Sequence, residues 1–148
     1  MSARRQAREF ALQLLFQWDY NPGEMAQTLA DFWAEHECGP KEREFAEGLF
    51  RGTLEKRAEI DALIVRYAEN WDLNRMGGVD RNVLRLAGYE MLYRPDVPPV
   101  VSINEAVDIA KDYSGMESGK FVNGILERIC QGRKRPARTA QTAEKGEA

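Results

Sequence analysis

Apolar residues recur at spacings of three and four from one end of the chain to the other, and alternation of period two is scarce, so the pattern predicts an all-helical protein. A first helix over about Ala3 to Tyr20 buries Ala7, Phe10, Ala11, Leu14 and Trp18, and Asn21, Pro22 and Gly23 end it. A second, about Met25 to His36, presents Leu29, Phe32 and Trp33. From Lys41 a long helical stretch carries Phe45, Leu49, Leu54, Ile60, Leu63, Ile64 and Tyr67. Gly48 and Gly52 weaken it by about 1 kcal/mol each relative to Ala, which allows two helices in series.

The "MGG" at Met76 to Gly78 is the best internal boundary, dividing a domain of residues 1–131 into two helical subdomains near Gly77. Beyond it Asp80 stands where an N-cap belongs, opening a helix with Val83, Leu84, Ala87, Met91 and Leu92 that stops before Pro95. Ser102 and Glu105 have capping-box spacing for a helix burying Ile103, Ala106, Val107 and Ala110. A last helix, about Ser118 to Gln131, buries Val122, Ile125, Leu126 and Ile129. The remaining 132–148 has too few apolar residues to fold and is expected to be a disordered basic tail.

Composition narrows the function classes. With 148 residues, 43% apolar and 30% charged, the chain has the size and balance of one soluble domain. It has no apolar run long enough to span a membrane, and its start lacks a signal-peptide core, so the cytoplasm is the expected compartment. His36 is the sole histidine, and Cys38 and Cys130 lie far apart. That leaves no His-based metal site and no Ser-His-Asp arrangement that one chain could assemble.

Charge is distributed unevenly. The tail's five basic and two acidic residues carry +3 of a net −3, so Met1 to Gln131 carries −6, while Arg4, Arg5 and Arg8 open the chain with no acid among them. An acidic body with basic extremities binds nucleic acid locally while repelling it elsewhere.

Two stretches then hold candidate chemistry. On the first helix Arg5, Arg8, Leu12 and Phe16 share a stripe beside the core face. Either the arginines meet phosphates while Phe16 stacks on an unpaired base, or they are solvated and Phe16 is the rim of the core. In "GMESGKFVNGIL", Gly115, Gly119 and Lys120 suggest a phosphate-cradling loop. However, three residues separate the glycines where four are needed, and Phe121 replaces the magnesium-binding hydroxyl. Lys120 and Phe121 either contact RNA or pack.

Together "ARRQAREFALQLLFQWD", "VDRNVLRLAGYEML" and "SINEAVDIAK…GKFVNGIL" resemble the NusB family of bacterial transcription antitermination factors, over most of Ala3 to Ile129. The resemblance implies an all-α fold of about seven helices in two subdomains. It also implies a non-enzymatic adaptor that binds boxA RNA with the small-subunit ribosomal protein NusE and, through it, RNA polymerase and other Nus factors. Self-association into a homodimer is compatible with it. The implied RNA-binding residues are Arg4, Arg5, Gln6, Arg8, Phe16, Tyr67, Lys120 and Phe121, and Asp80 and Glu117 match acidic positions of the protein-partner surface. Gln6 stands where the family often has a further Arg, and Phe16 where it often has Tyr. Two other readings stay open: the RNA-binding module of a ribosomal RNA methyltransferase, and a helical protein-interaction module without RNA binding.

Overall fold

Ser2 opens the first helix by accepting a hydrogen bond from the Arg5 backbone N–H at 3.0 Å, and α1 (Ala3–Tyr20) then runs as its period requires. The computed structural model describes residues 2–69 and 71–144, the side chains of 133–144 excepted. Among the described residues the elements are seven α-helices and one 3₁₀ turn, Leu73–Arg75, with no strand.

After α1, the Glu24 carboxylate caps α2 (Met25–Glu35) by accepting from the Ala26 and Gln27 N–H groups. Pro40, preset for a first helical position, starts α3 (Pro40–Glu55). The long apolar stretch does divide in two, but at Lys56 rather than at a glycine, and α4 (Arg57–Tyr67) follows at once. Gly48 and Gly52 both lie inside α3. Gly52 is needed for packing instead: the Tyr89 ring leaves no room there for a Cβ.

Two expected caps are corrected. α5 (Gly78–Tyr93) takes Gly77 as its N-cap, which puts Asp80 in the first turn. α6 (Pro99–Ser114) starts at a proline, so Ser102 is already about one turn inside and Glu105 nearly two. Their side chains serve tertiary partners, Ser102 bonding Glu90 and Glu105 pairing with Arg5. Gly115, at φ 101°, makes the left-handed turn into α7 (Met116–Glu144). The tail expected over 132–148 falls, beyond Gly132, outside the residues described with side chains.

One buried cluster runs from Ala7 on α1 to Ile129 on α7, so the halves on either side of Gly77 share a core. α1 lies between α3 and α5, and α6 and α7 form the closest pair. Leu14, Leu49, Phe50, Ile64, Leu84 and Leu126 have no exposed surface. Trp18, expected in the core, is only half-buried and meets Phe50 edge-on.

Candidate nucleic-acid interface

The arginines of α1 do not come to the surface as a unit. Arg8 is 5% exposed and donates from Nε to Glu90 Oε2 at 2.7 Å, while Glu90 accepts from the Ser102 hydroxyl at 2.6 Å. Arg5 forks onto both oxygens of Glu105, at 2.8 and 3.0 Å, and reaches Asp108 at 3.0 Å. The hydrogen bond to Glu105 raises the Arg5 pKa further, and the same bond holds the Glu105 carboxyl below its ordinary value. Arg4 is exposed, 4.2 Å over the Phe45 ring and 3.8 Å from Asp96; Gln6 is half-buried. Of the three, only Arg4 is exposed, while Arg5 and Arg8 fasten α1 to α5 and α6.

Sequence held one signal for this. Glu90 follows Val83 and Ala87 in the apolar stripe of α5, and a carboxylate on a buried stripe demands a paired cation.

A second network fastens the other end of α1. Asp19 accepts from Arg81 Nε at 2.9 Å and Asn82 Nδ2 at 3.1 Å and lies 3.3 Å from Arg85, which forks onto Asp61. Burial opposes ionisation of Asp19, but the bonds from Arg81 and Asn82 outweigh it and the pKa is lowered.

Both Asp19 and Glu105 thus have folded pKa values below their unfolded ones. Their stabilisation is complete above the unfolded carboxylate range, about pH 4, and is lost as pH falls through the folded values. We expect a melting temperature that is flat from pH 7 to 5 and declines below about pH 4.5, with a shallower decline in Glu105→Gln. Thermal melts in a pH series check this; an identical decline in both proteins would remove Glu105 from the account.

Phe16 is 36% exposed, roughly 18 Å along α1 from Arg4. Its ring covers Gly78, where a Cβ would come within 2.7 Å, and lies 5.0 Å from the Tyr20 ring. With Leu12, Val79 and Tyr113 it lines a shallow apolar cleft.

The other expected residues gather where α4, the 3₁₀ turn and α7 meet. Lys120 is exposed, and Phe121 is half-buried with its ring 5.3 Å from Trp71, edge to face at 68°. Trp71 is 55% exposed, and the pair stands between two clefts. Lys120 and Arg128 line one, with Glu69; Arg75, Asp80, Glu117 and Ser118 line the other. Tyr67 supports this wall: its hydroxyl abuts Gly132 and its backbone oxygen accepts from Arg128 Nε at 3.0 Å. Asp80 and Glu117, which the resemblance matches to the protein-partner surface, line the same cleft as Phe121.

Trp71, Arg75 and Arg128 were missed. They converge from different elements, and the only local sign was a tryptophan among polar residues in "ENWDLNR".

Fold and clefts together define an all-helical protein with an exposed aromatic wall flanked by basic and acidic side chains. The model of the NusB family matches residues 5–131. The transcription antitermination protein NusB of Trichlorobacter lovleyi is 48% identical over 129 residues, covering 87% of this chain and 91% of that protein. The solved structure of T. maritima NusB superimposes with a TM-score of 0.78 at 44% identity, over 86% of this chain and 90% of that one. A structure of antitermination factors NusB and NusE in complex with dsRNA superimposes with a TM-score of 0.81 at 28% identity, over 89% and 98%. The chain belongs to the NusB family.

Proposed function

We propose that this chain is a cytoplasmic, non-enzymatic transcription antitermination adaptor that holds a boxA-type element of nascent RNA together with NusE. The observation that carries the reading is the Trp71–Phe121 wall with Lys120 and Arg128 beside it. Exposed rings stack on unpaired bases of any sequence while cations track the backbone, the combination by which single strands are held. The similarity to a chain solved with NusE and RNA supports the same partners.

In this reading Lys120, Phe121 and Phe16 contact RNA, Arg4 adds a phosphate contact, and Arg5, Arg8 and Tyr67 hold the platform in place. Glu117, exposed at the rim of its cleft, suits a basic patch on the protein partner. Titrating labelled boxA-like and scrambled RNA, with and without NusE, tests it. The boxA-like RNA should bind more tightly, and more so with NusE; equal affinities in the presence of NusE would overturn the reading.

Phe16→Ala should weaken RNA binding by about 1–3 kcal/mol, the usual worth of a base–aromatic stack. Unchanged affinity in a variant with a normal melting curve would make Phe16 only the rim of the core.

A further inference from the structure

Unlike Arg5 and Arg8, two exposed arginines beside Tyr67 have no carboxylate partner among the described residues. Arg66, near the end of α4, lies 5.4 Å over the Tyr67 ring. Arg128 on α7 donates from Nε to the Tyr67 backbone oxygen at 3.0 Å. Lys120, about two turns earlier on α7, also lacks a carboxylate partner among the described residues. Gly132 then passes against Tyr67, where a Cβ would overlap the phenol hydroxyl, and the α7 backbone stays helical to Glu144. Beyond Gly132 come Arg133, Lys134, Arg135, Pro136, Ala137 and Arg138, four cations in six residues with no acid. From Lys120 to Arg138 the helix axis spans about 27 Å. Glu127 is the one acid of the sequence between them, and Glu69 stands at the end of α4. Positive charge therefore predominates along this line while the body of the chain is acidic overall, which draws a polyanion here and repels it elsewhere.

We propose that Arg66, Arg128 and the basic extension of α7 form a phosphate track that leads single-stranded RNA away from the aromatic wall without reading its sequence. The inference rests on the RNA-binding reading and adds to it a second footprint, outside the boxA-type element. Guanidiniums hold phosphates in forked hydrogen bonds and release the counterions condensed on them, and neither effect depends on the base. Arg66 and Arg128 both bear on Tyr67, the residue that α7 passes at Gly132, so the extension starts where their charges are.

The full chain with NusE is titrated with a boxA-like RNA and with the same RNA lengthened by a run of uridines at its 5′ or its 3′ end. Lengthening at one of the two ends should raise the affinity and steepen its salt dependence, and a run of cytidines should do the same. A full-length variant carrying Arg66→Gln, Arg133→Gln, Lys134→Gln, Arg135→Gln and Arg138→Gln should bind the short RNA as the unaltered chain does and lose the gain from lengthening. On the long RNA its slope of log affinity against log salt should fall by about 2, the sum of three phosphate contacts at ~0.7 each. Arg66→Gln alone should lower that slope by about 0.7, which separates the start of the track from the extension.

Melting curves establish that both variants fold. A lengthened RNA that gains nothing at either end, a slope unchanged in either variant, or a gain that depends on the added bases overturns the track, while retained binding of the short RNA leaves the adaptor function standing. A five-residue variant that binds the short RNA more tightly would place the extension on the chain's own acidic surface, and it too overturns the track. Equal affinity for short boxA-like and scrambled RNA in the presence of NusE overturns the function itself and the track with it.

Discussion

Glu90→Ala is expected to cost about 3–5 kcal/mol of folding stability, the usual price of breaking a buried ion pair from one side. The carboxylate is 1% exposed and bonds both the Arg8 guanidinium and the Ser102 hydroxyl. Its removal leaves a buried hydroxyl without its acceptor and the buried Arg8 with only its longer contact to Glu105 at 3.5 Å, a carboxylate already forked onto Arg5. Domains have about 5–15 kcal/mol in total, so the variant should melt roughly 6–20 °C lower. Urea denaturation measures the loss directly. A loss under about 1 kcal/mol would mean that solvent reaches the pair after all. Replacing both partners, Arg8→Met with Glu90→Leu, should recover most of the stability, because neither desolvated charge remains.

The same pair shows what sequence could and could not reveal. The extents of α1 and α2 follow from 3.6-residue periodicity and the breakers at Asn21 to Gly23, all local signals, and both helices lie within a residue of expectation. Ser102 and Glu105 carried an equally local signal, but Pro99 had already started the helix and the two side chains were free for partners elsewhere. Arg5 finds Glu105 a hundred residues away and Arg8 finds Glu90 eighty-two away, pairings that no spacing rule reaches. The candidate site divides in the same way. Lys120 and Phe121 are adjacent and legible as a basic–aromatic pair, whereas Trp71 and Arg128 complete the wall only because α7 packs where α4 ends.

The two polar networks give the interface its rigidity. Arg5 and Arg8 fix the beginning of α1 to α5 and α6, and Asp19 fixes its end to Arg81, Asn82 and Arg85 of α5. Phe16 lies between these anchors against Gly78, so its ring is carried by a helix held at both ends. The charges that sequence suggests for phosphate are largely spent on holding the helix that carries this ring. An arginine so used is a positioning residue, and its loss should be read first in a melting curve.

Phe121→Ala should weaken RNA binding by about 1–3 kcal/mol, or roughly 5- to 150-fold, without altering how binding responds to salt. The ring supports Trp71 edge to face and closes both clefts, so its loss removes a stacking surface and loosens a second. No charge is removed, and the number of counterions released should stay the same. Lys120→Ala is the control with the opposite signature: the exposed ammonium stacks on nothing, and its loss should lower the slope of log affinity against log salt by about 0.7, the single-strand value for one phosphate. Titrations at several salt concentrations therefore assign each residue its role. Because Phe121 also packs against the core, its variant is compared at a temperature well below its own melting transition. A slope that changes in Phe121→Ala, or an affinity that does not, would return the ring to the core and leave Lys120 to hold the strand without it.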